Sequence, residues 1–219
     1  RDRLYTGHIW QDLARHHWTT KQHRYWLAAY VARNMAPLPL YRLGLLSQTA
    51  FYREWGETMA WLVRGWTVED GQALFEQITD ACIMPNLRTG VLHRLRQHQE
   101  AKGLVALVSG TFAPWLELVA KRLAIAHSIG TPLEVRDGCY TGRIIPPLCQ
   151  GPGKPVRVQD YFVKRGLEVD WKASFAYADS GTDVPLLSRV GHPVAVHPDE
   201  ELLSHSQSQG WALFGEVDR

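Results

Sequence analysis

The feature that most constrains this chain is the apolar run at 104–108, Leu-Val-Ala-Leu-Val, which follows Gly103 and ends at Ser109-Gly110-Thr111. It is too short for a core helix and shows no polar alternation, so it reads as a strand buried on both faces of a parallel sheet. Pro114 then opens a helix to about Leu123, since proline suits the first helical turn. A helix over 89–102 precedes the run, and the later chain repeats the alternation. A helix over 155–165 leads to a further apolar run at 174–178, and 193–196 is the last strand candidate before a helix over 200–209. Between them, 133–136 and 140–145 flank Asp137-Gly138, a hairpin signal because both residues tolerate positive φ. Strands alternating with helices predict an α/β fold with a parallel sheet and right-handed crossovers.

Residues 1 to about 88 have a different texture. Trp10, Leu13, Ala14, His17 and Trp18 recur at helical spacing, as do Trp26, Leu27, Tyr30 and Val31. Pro37 and Pro39 are expected to break the pattern, because proline lacks the amide donor. Helical spacing resumes over 51–63. Thr67 then caps a further helix running to about Ala81, with Glu69 and Asp70 in its first turn. No strand is expected here. Six of the nine tryptophans fall in this part, and the chain divides into a helical segment, 1–85, and an α/β segment, 86–219.

Composition excludes several classes. Hydrophobic residues at 45% and charged residues at 21% are ordinary for a globular chain. The longest apolar stretch, 25–32, falls far short of the ~18 residues that a membrane-spanning helix needs. No secretory signal pattern opens the sequence. A net charge of +2 spread along the chain does not suggest a nucleic-acid binder. Cys82, Cys139 and Cys149 show no C-x-x-C spacing, which points to reduced thiols and a cytoplasmic location. Among the histidines, His16 and His17 are adjacent and so point to different helix faces, and His93 and His98 are five apart, so neither pair is spaced for a metal on a helix. They are expected on the surface or in the helical segment.

Ligands of parallel sheets bind beyond the carboxyl ends of the strands. Asp179 and Asp183 follow the run at 174–178, and two carboxylates at a strand tip suit a hard cation, Mg²⁺ above all. The plainer alternative is a helix cap at Asp179 with Asp183 solvated. Ser109 and Gly110 end the first strand, where a small hydroxyl and an unhindered amide can approach phosphate oxygens; the alternative is a simple turn capped by Ser109. Lys154, in Gly151-Pro152-Gly153-Lys154, could bring a positive charge to the same anion or be a solvated loop lysine. It is not in a P-loop, which requires glycine in place of Leu148 and Ser or Thr in place of Pro155. Ser109 also lacks the G-x-S-x-G elbow of serine hydrolases.

Taken in order, these segments resemble the haloacid dehalogenase superfamily, specifically its phosphoserine-phosphatase-like branch. "LVALVSGTFAPWLELVAKRLAI" is similar to the second motif, and "VRDGCYTGRI" to the hairpin before the third. "GPGKPVRVQDYFVKRG" carries a motif-three lysine, and "SFAYADSGTDVPLLSRVGHPVAVHPD" resembles the fourth motif. The resemblance covers about 83–214. It implies a Rossmann-like core with a helical cap formed by 1–85, and hydrolysis of a small-molecule phosphomonoester with Mg²⁺ through an aspartyl-phosphate. Asp179 would hold the metal and Asp183 would support it. Ser109 and Gly110 would bind phosphate, and Lys154 would neutralise charge as a catalytic and phosphate-binding group. The family's first motif, a strand ending in D-x-D-x-T that supplies the nucleophile, is not found in the sequence. The expectation is that this central strand lies upstream of Arg1; the alternative is a degenerate phosphate-binding or interaction module. Thr182 stands where phosphoserine phosphatases usually carry asparagine, which weakens assignment to phosphoserine itself.

Overall fold

The computed structural model describes residues 9–20, 24–46 and 48–215. The helical part opens with α1 (Ile9–Thr20) and α2 (Arg24–Met35). Then come a single turn, α3 (Leu38–Arg42), and α4 (Gln48–Thr58), which tightens into a 3₁₀ segment over Met59–Val63. The helical pattern breaks at Pro37 and Pro39 as expected: α2 ends at Met35, and Pro39 sits in the first turn of the new helix α3, where its missing amide costs nothing. Helix α5 (Val68–Ile78) is capped as expected, the Thr67 hydroxyl accepting from the Asp70 amide at 3.0 Å. It loosens into a π-helical turn over Thr79–Ile83. Helix α6 (Thr89–Glu100) leads to the sheet.

Strand β1 (Ala106–Phe112) pairs in parallel with β2 (His127–Thr131), the helix α7 (Ala113–Arg122) crossing between them. The hairpin β3 (Leu133–Arg136) and β4 (Cys139–Ile144) turns at Asp137 and Gly138, with φ of 51° and 75°. Helix α8 (Gly153–Val163) then precedes β5 (Phe175–Ala178). After the short α9 (Val184–Leu187), β6 (His192–Val196), α10 (Glu200–Gln209) and β7 (Ala212–Phe214) complete a second parallel sheet in the order β5-β6-β7. The fold is α/β with parallel sheets.

Three details differ from the sequence-based expectation. First, β1 runs on through Ser109, Gly110 and Thr111, and its register shifts there. Val108 opposes Ile129, but Phe112 opposes Thr131, so four steps along β1 match two along β2. The polar triplet bulges out of the ladder, where its backbone is free for other partners. Second, β1 and β5 are only half-buried: Phe175 is 51% exposed and Tyr177 36%. Among the described residues each strand has a hydrogen-bonded neighbour on one edge alone, β2 for β1 and β6 for β5. Third, β2 and β7 lie where the sequence pattern predicts no strand. His-Ser-Ile-Gly-Thr has a single large aliphatic residue, and β7 is three residues long.

The main hydrophobic core disregards the boundary near residue 85. Leu13, Tyr30, Leu62, Phe75 and Ile83 from the helical part share one cluster with Phe112, Trp115, Leu133 and Tyr140. Phe75 stacks on Trp115 at 4.9 Å, and the Trp115 indole donates to the Thr79 hydroxyl at 2.9 Å. His17 is wholly buried in this region, its ring edge-on to Trp66, rather than at the surface.

Candidate active site

Three of the segments singled out in the sequence are joined by contacts near the carboxyl ends of β1 and β5: the end of β1, the start of α8 and the turn after β5. At β1, the Ser109 hydroxyl accepts from the Thr111 amide at 3.2 Å, closing the bulge locally. Thr131 holds it from the next strand, donating to the Gly110 carbonyl at 2.8 Å and accepting from the Cys149 amide at 3.1 Å. A Cβ on Gly110 would meet only the Cys149 carbonyl and Gln150 at ordinary contact distance, so protein packing alone does not demand glycine there. The Thr111 hydroxyl is buried with no hydrogen-bond partner among the described residues. A buried donor left in that condition calls for a further polar group close by.

Lys154 enters on the first turn of α8. The loop before it is pinned by the Arg157 guanidinium, which donates to the carbonyls of Ile145 and Pro147. Gly153 has no room for a side chain, since a Cβ would stand 2.1 Å from the Leu148 carbonyl oxygen. The Lys154 ammonium is buried and donates to Asp183 at 2.5 Å. Burial works against the charge on Lys154. The attraction of Asp183 and its hydrogen bond outweigh this, with smaller contributions from Cys149 and Asp179, and the ammonium titrates above its ordinary value. Lys154 is therefore not a solvated loop lysine.

Asp179 follows β5 directly and is not a helix cap. That place belongs to Ser180, whose hydroxyl accepts from the Thr182 amide ahead of the 3₁₀ turn Gly181–Asp183. Asp183 is buried and turned toward Lys154 rather than solvated. Sequence reasoning missed the residue that organises this loop, Asp199. Its carboxylate accepts from the Gly181 amide at 3.0 and 3.1 Å while capping α10 through the Leu202 amide at 2.9 Å. Its own amide donates to the Asp179 carbonyl at 2.8 Å. The signal was present in Pro198-Asp199-Glu200-Glu201, an acidic helix start just after a strand.

Cys149 was also missed as a neighbour of the site. Its sulfur is fully buried, donates to the Ile129 carbonyl at 3.4 Å and lies against the Ser109 backbone amide. Burial pushes its thiol up to about 11, although Lys154 and Arg157 pull the other way. Lys154 thus contacts Asp183 and lies within electrostatic reach of Cys149 and Asp179, and Cys149 in turn adjoins the Ser109 backbone. Among the described residues no group of three or more His, Cys, Asp or Glu side chains is placed to enclose a metal. Neither His16–His17 nor His93–His98 forms such a group.

A family model described as haloacid dehalogenase-like hydrolase matches residues 6–188. Phosphoserine phosphatase SerB1 of Mycobacterium tuberculosis is 34% identical over 151 residues, covering 69% of this chain and 48% of that protein. The histidinol-phosphatase of Neisseria meningitidis is 33% identical over 134 residues, 60% of each. The chain spans about half the length of the first curated relatives it matches. Among solved structures, a Bordetella pertussis protein of unknown function aligns with a TM-score of 0.73 at 32% identity, over 86% of this chain and 83% of that one. A substrate-bound phosphoserine phosphatase shares the fold at 15% identity, with a TM-score of 0.62 over 98% and 89% of the two chains. With the motif segments in order, a parallel-stranded core and a family model matching most of its length, the chain belongs to the haloacid dehalogenase-like hydrolases.

Proposed function

We propose that this chain forms most of a Mg²⁺-dependent hydrolase of small-molecule phosphomonoesters, completed by a strand from outside the described residues. The observation that carries this is the Lys154–Asp183 pair. It links the helix packed on β1 and β2 to the turn after β5, so one lysine side chain ties together two strands that each have, among the described residues, a partner on one edge alone. A strand supplied between β1 and β5 would pair both edges, and an aspartate at its end would stand beside Ser109, Lys154 and Asp179. The helical part, 1–85, would serve as the cap over that cleft.

In this scheme the first aspartate of an upstream D-x-D-x-T segment attacks phosphorus, and the ester oxygen leaves as an alcohol with a proton given by the second aspartate of that segment. Water then attacks the aspartyl-phosphate, releasing inorganic phosphate and restoring the carboxylate. Ser109 and the Gly110 amide bind phosphoryl oxygens, and Lys154 offsets charge on the phosphoryl group and nucleophile. The donor set suits Mg²⁺, which is commonly held by one or two carboxylates with the remaining positions left to water and substrate phosphate. Asp179 would bind it and Asp183 would support the site from beside Lys154; the ion supplies charge neutralisation on the phosphoryl oxygens. The thiols of Cys82, Cys139 and Cys149 form no disulfide, in keeping with a cytoplasmic location.

Kinetics of the full-length protein on an aryl phosphate, with and without Mg²⁺, test the proposal. Asp179→Asn should lose most of the activity, because an amide oxygen is a poorer ligand for a hard cation. Ser109→Ala should lose less, on the order of 10–100-fold, the equivalent of one hydrogen bond to a charged acceptor at ~1.5–3 kcal/mol. Relatives named for phosphoserine and histidinol phosphate put amino-bearing monoesters first on a substrate panel. A folded full-length protein inactive across that panel, yet binding phosphate, would establish the degenerate module instead.

A further inference from the structure

Between Asp12 and Glu54 the sequence holds no acidic residue, while Arg15, Lys21, Arg24, Arg33, Arg42 and Arg53 give residues 13–53 a formal charge of +6. The whole chain carries +2, so the remainder carries −4. The basic charge is gathered into one stretch of the helical part.

The same stretch exposes apolar side chains. Helix α2 buries Leu27, Tyr30 and Asn34 against the core. Its opposite stripe, Tyr25, Ala28, Val31, Ala32 and Met35, recurs at three- and four-residue steps and is exposed, Tyr25 to 75%. A helix apolar on both faces is ordinarily covered on both. Trp18 at the end of α1 is 67% exposed, and the Arg24 guanidinium lies 5.2 Å over its ring. Beyond α2, Leu40 is half exposed, and Leu43 and Leu45 reach 73% on either side of Gly44, next to Arg42. Arg15 is paired with Asp12 and Arg33 with Glu54, whereas among the described residues no acidic side chain forms an ion pair with Arg24 or Arg42.

We propose that this face docks on a bilayer surface bearing anionic phospholipid, with the exposed aromatic and leucine side chains entering the headgroup boundary and the arginines meeting lipid phosphates. Interfacial helices of this composition combine apolar insertion with attraction to anionic lipid. A second copy is disfavoured as the occupant, because a two-fold contact would set two such cationic stretches against each other. Nucleic acid would engage the arginines but leave Leu40, Leu43 and Leu45 in water. None of the described helices is long and apolar enough to cross a membrane, and the contact proposed for this face is with the bilayer surface. It does not depend on the phosphatase proposal.

Co-sedimentation of the full-length protein with vesicles tests it. Vesicles of phosphatidylcholine mixed with phosphatidylglycerol should bind the protein, pure phosphatidylcholine vesicles should bind it weakly, and added salt should release it. Arg24→Ala and Arg42→Ala should each lower partitioning about fivefold, the equivalent of ~1 kcal/mol per basic residue near the surface. Val31→Glu combined with Leu43→Ser should lower it at least tenfold, with an unchanged far-ultraviolet spectrum and thermal midpoint, since both side chains are exposed. Equal binding to both vesicle types, variants that bind like the parent, or no vesicle binding would each overturn the proposal. Sedimentation equilibrium showing a dimer that Leu43→Ser dissociates, without vesicle binding, would reassign the face to self-association.

Discussion

Around Trp115 the molecule is closed on itself. The indole is fully buried, stacked on Phe75 and hydrogen-bonded to Thr79, while Arg122 on the same helix grips Asp80 through two contacts of 3.0 Å. Around β5 the packing is thin. Phe175 leans on His192 and Tyr177 shares a hydrogen bond with His98, but much of both rings faces solvent, and one edge of the strand lacks a partner among the described residues. Both regions are rich in aromatic side chains. What separates them is what covers the side chains: Phe75 and Thr79 of the helical part close over Trp115, whereas among the described residues little lies over the outer faces of Phe175 and Tyr177.

Substitutions on the two sides should break or sharpen that contrast. Trp115→Ala should cost the most, ~3–5 kcal/mol, by opening a cavity between the helical part and α7; chemical denaturation read by far-ultraviolet dichroism measures it. A loss below 1 kcal/mol would mean that the two parts do not share a core. Lys154→Met should come next, at about 3 kcal/mol, because it leaves the Asp183 carboxylate buried without its partner. Lys154→Met with Asp183→Leu should recover much of that stability while activity stays lost, which separates the structural role of the pair from its chemical one.

Alkaline titration tests the junction between the halves. The Cys149 thiol, raised by burial to about 11 from 9.0, stays neutral in the folded protein over a range where the unfolded chain ionises. Its contribution is therefore complete below pH 9 and lost as pH rises toward 11, at most about 3 kcal/mol. Lys154 works in the same direction: its raised value keeps the ammonium charged after the unfolded chain has released its proton. Denaturation midpoints followed between pH 8 and pH 11 should fall, and Cys149→Ala should flatten the slope. The smallest effect belongs to Phe175→Ala, under about 1 kcal/mol, as expected where half the ring is already in water. A larger loss in the full-length protein than in the chain described here would show that its exposed face is covered by an added strand.

Much of the site was legible because its chemistry is local. A small polar triplet after an apolar run, a lysine after Gly-Pro-Gly and an acidic pair four residues apart each announce themselves within a short window. Asp199 and Thr131 were less legible. An N-cap aspartate and a threonine within a weak strand have common local explanations, and their importance here lies in reaching across to Gly181, Gly110 and Cys149. Cys149 reads from sequence as an ordinary thiol, and only burial beside Ser109 and Lys154 gives it a place.

Period and punctuation alone determined the order of α6, β1, α7, the hairpin at Asp137-Gly138, α8, β5, β6 and α10, though not β2 between them, and the all-helical character of the first part, because these follow from backbone sterics and the spacing of apolar side chains. Tertiary structure decided the bulge at 109–111, since register depends on which strand lies alongside. It also decided that Lys154 is buried and paired rather than solvated, because a lysine keeps its charge in the interior only where a carboxylate from a distant segment offsets the loss of water. And it decided that the helical and α/β parts share a core, which no local pattern records, because contacts such as Phe75 on Trp115 join residues far apart in the chain.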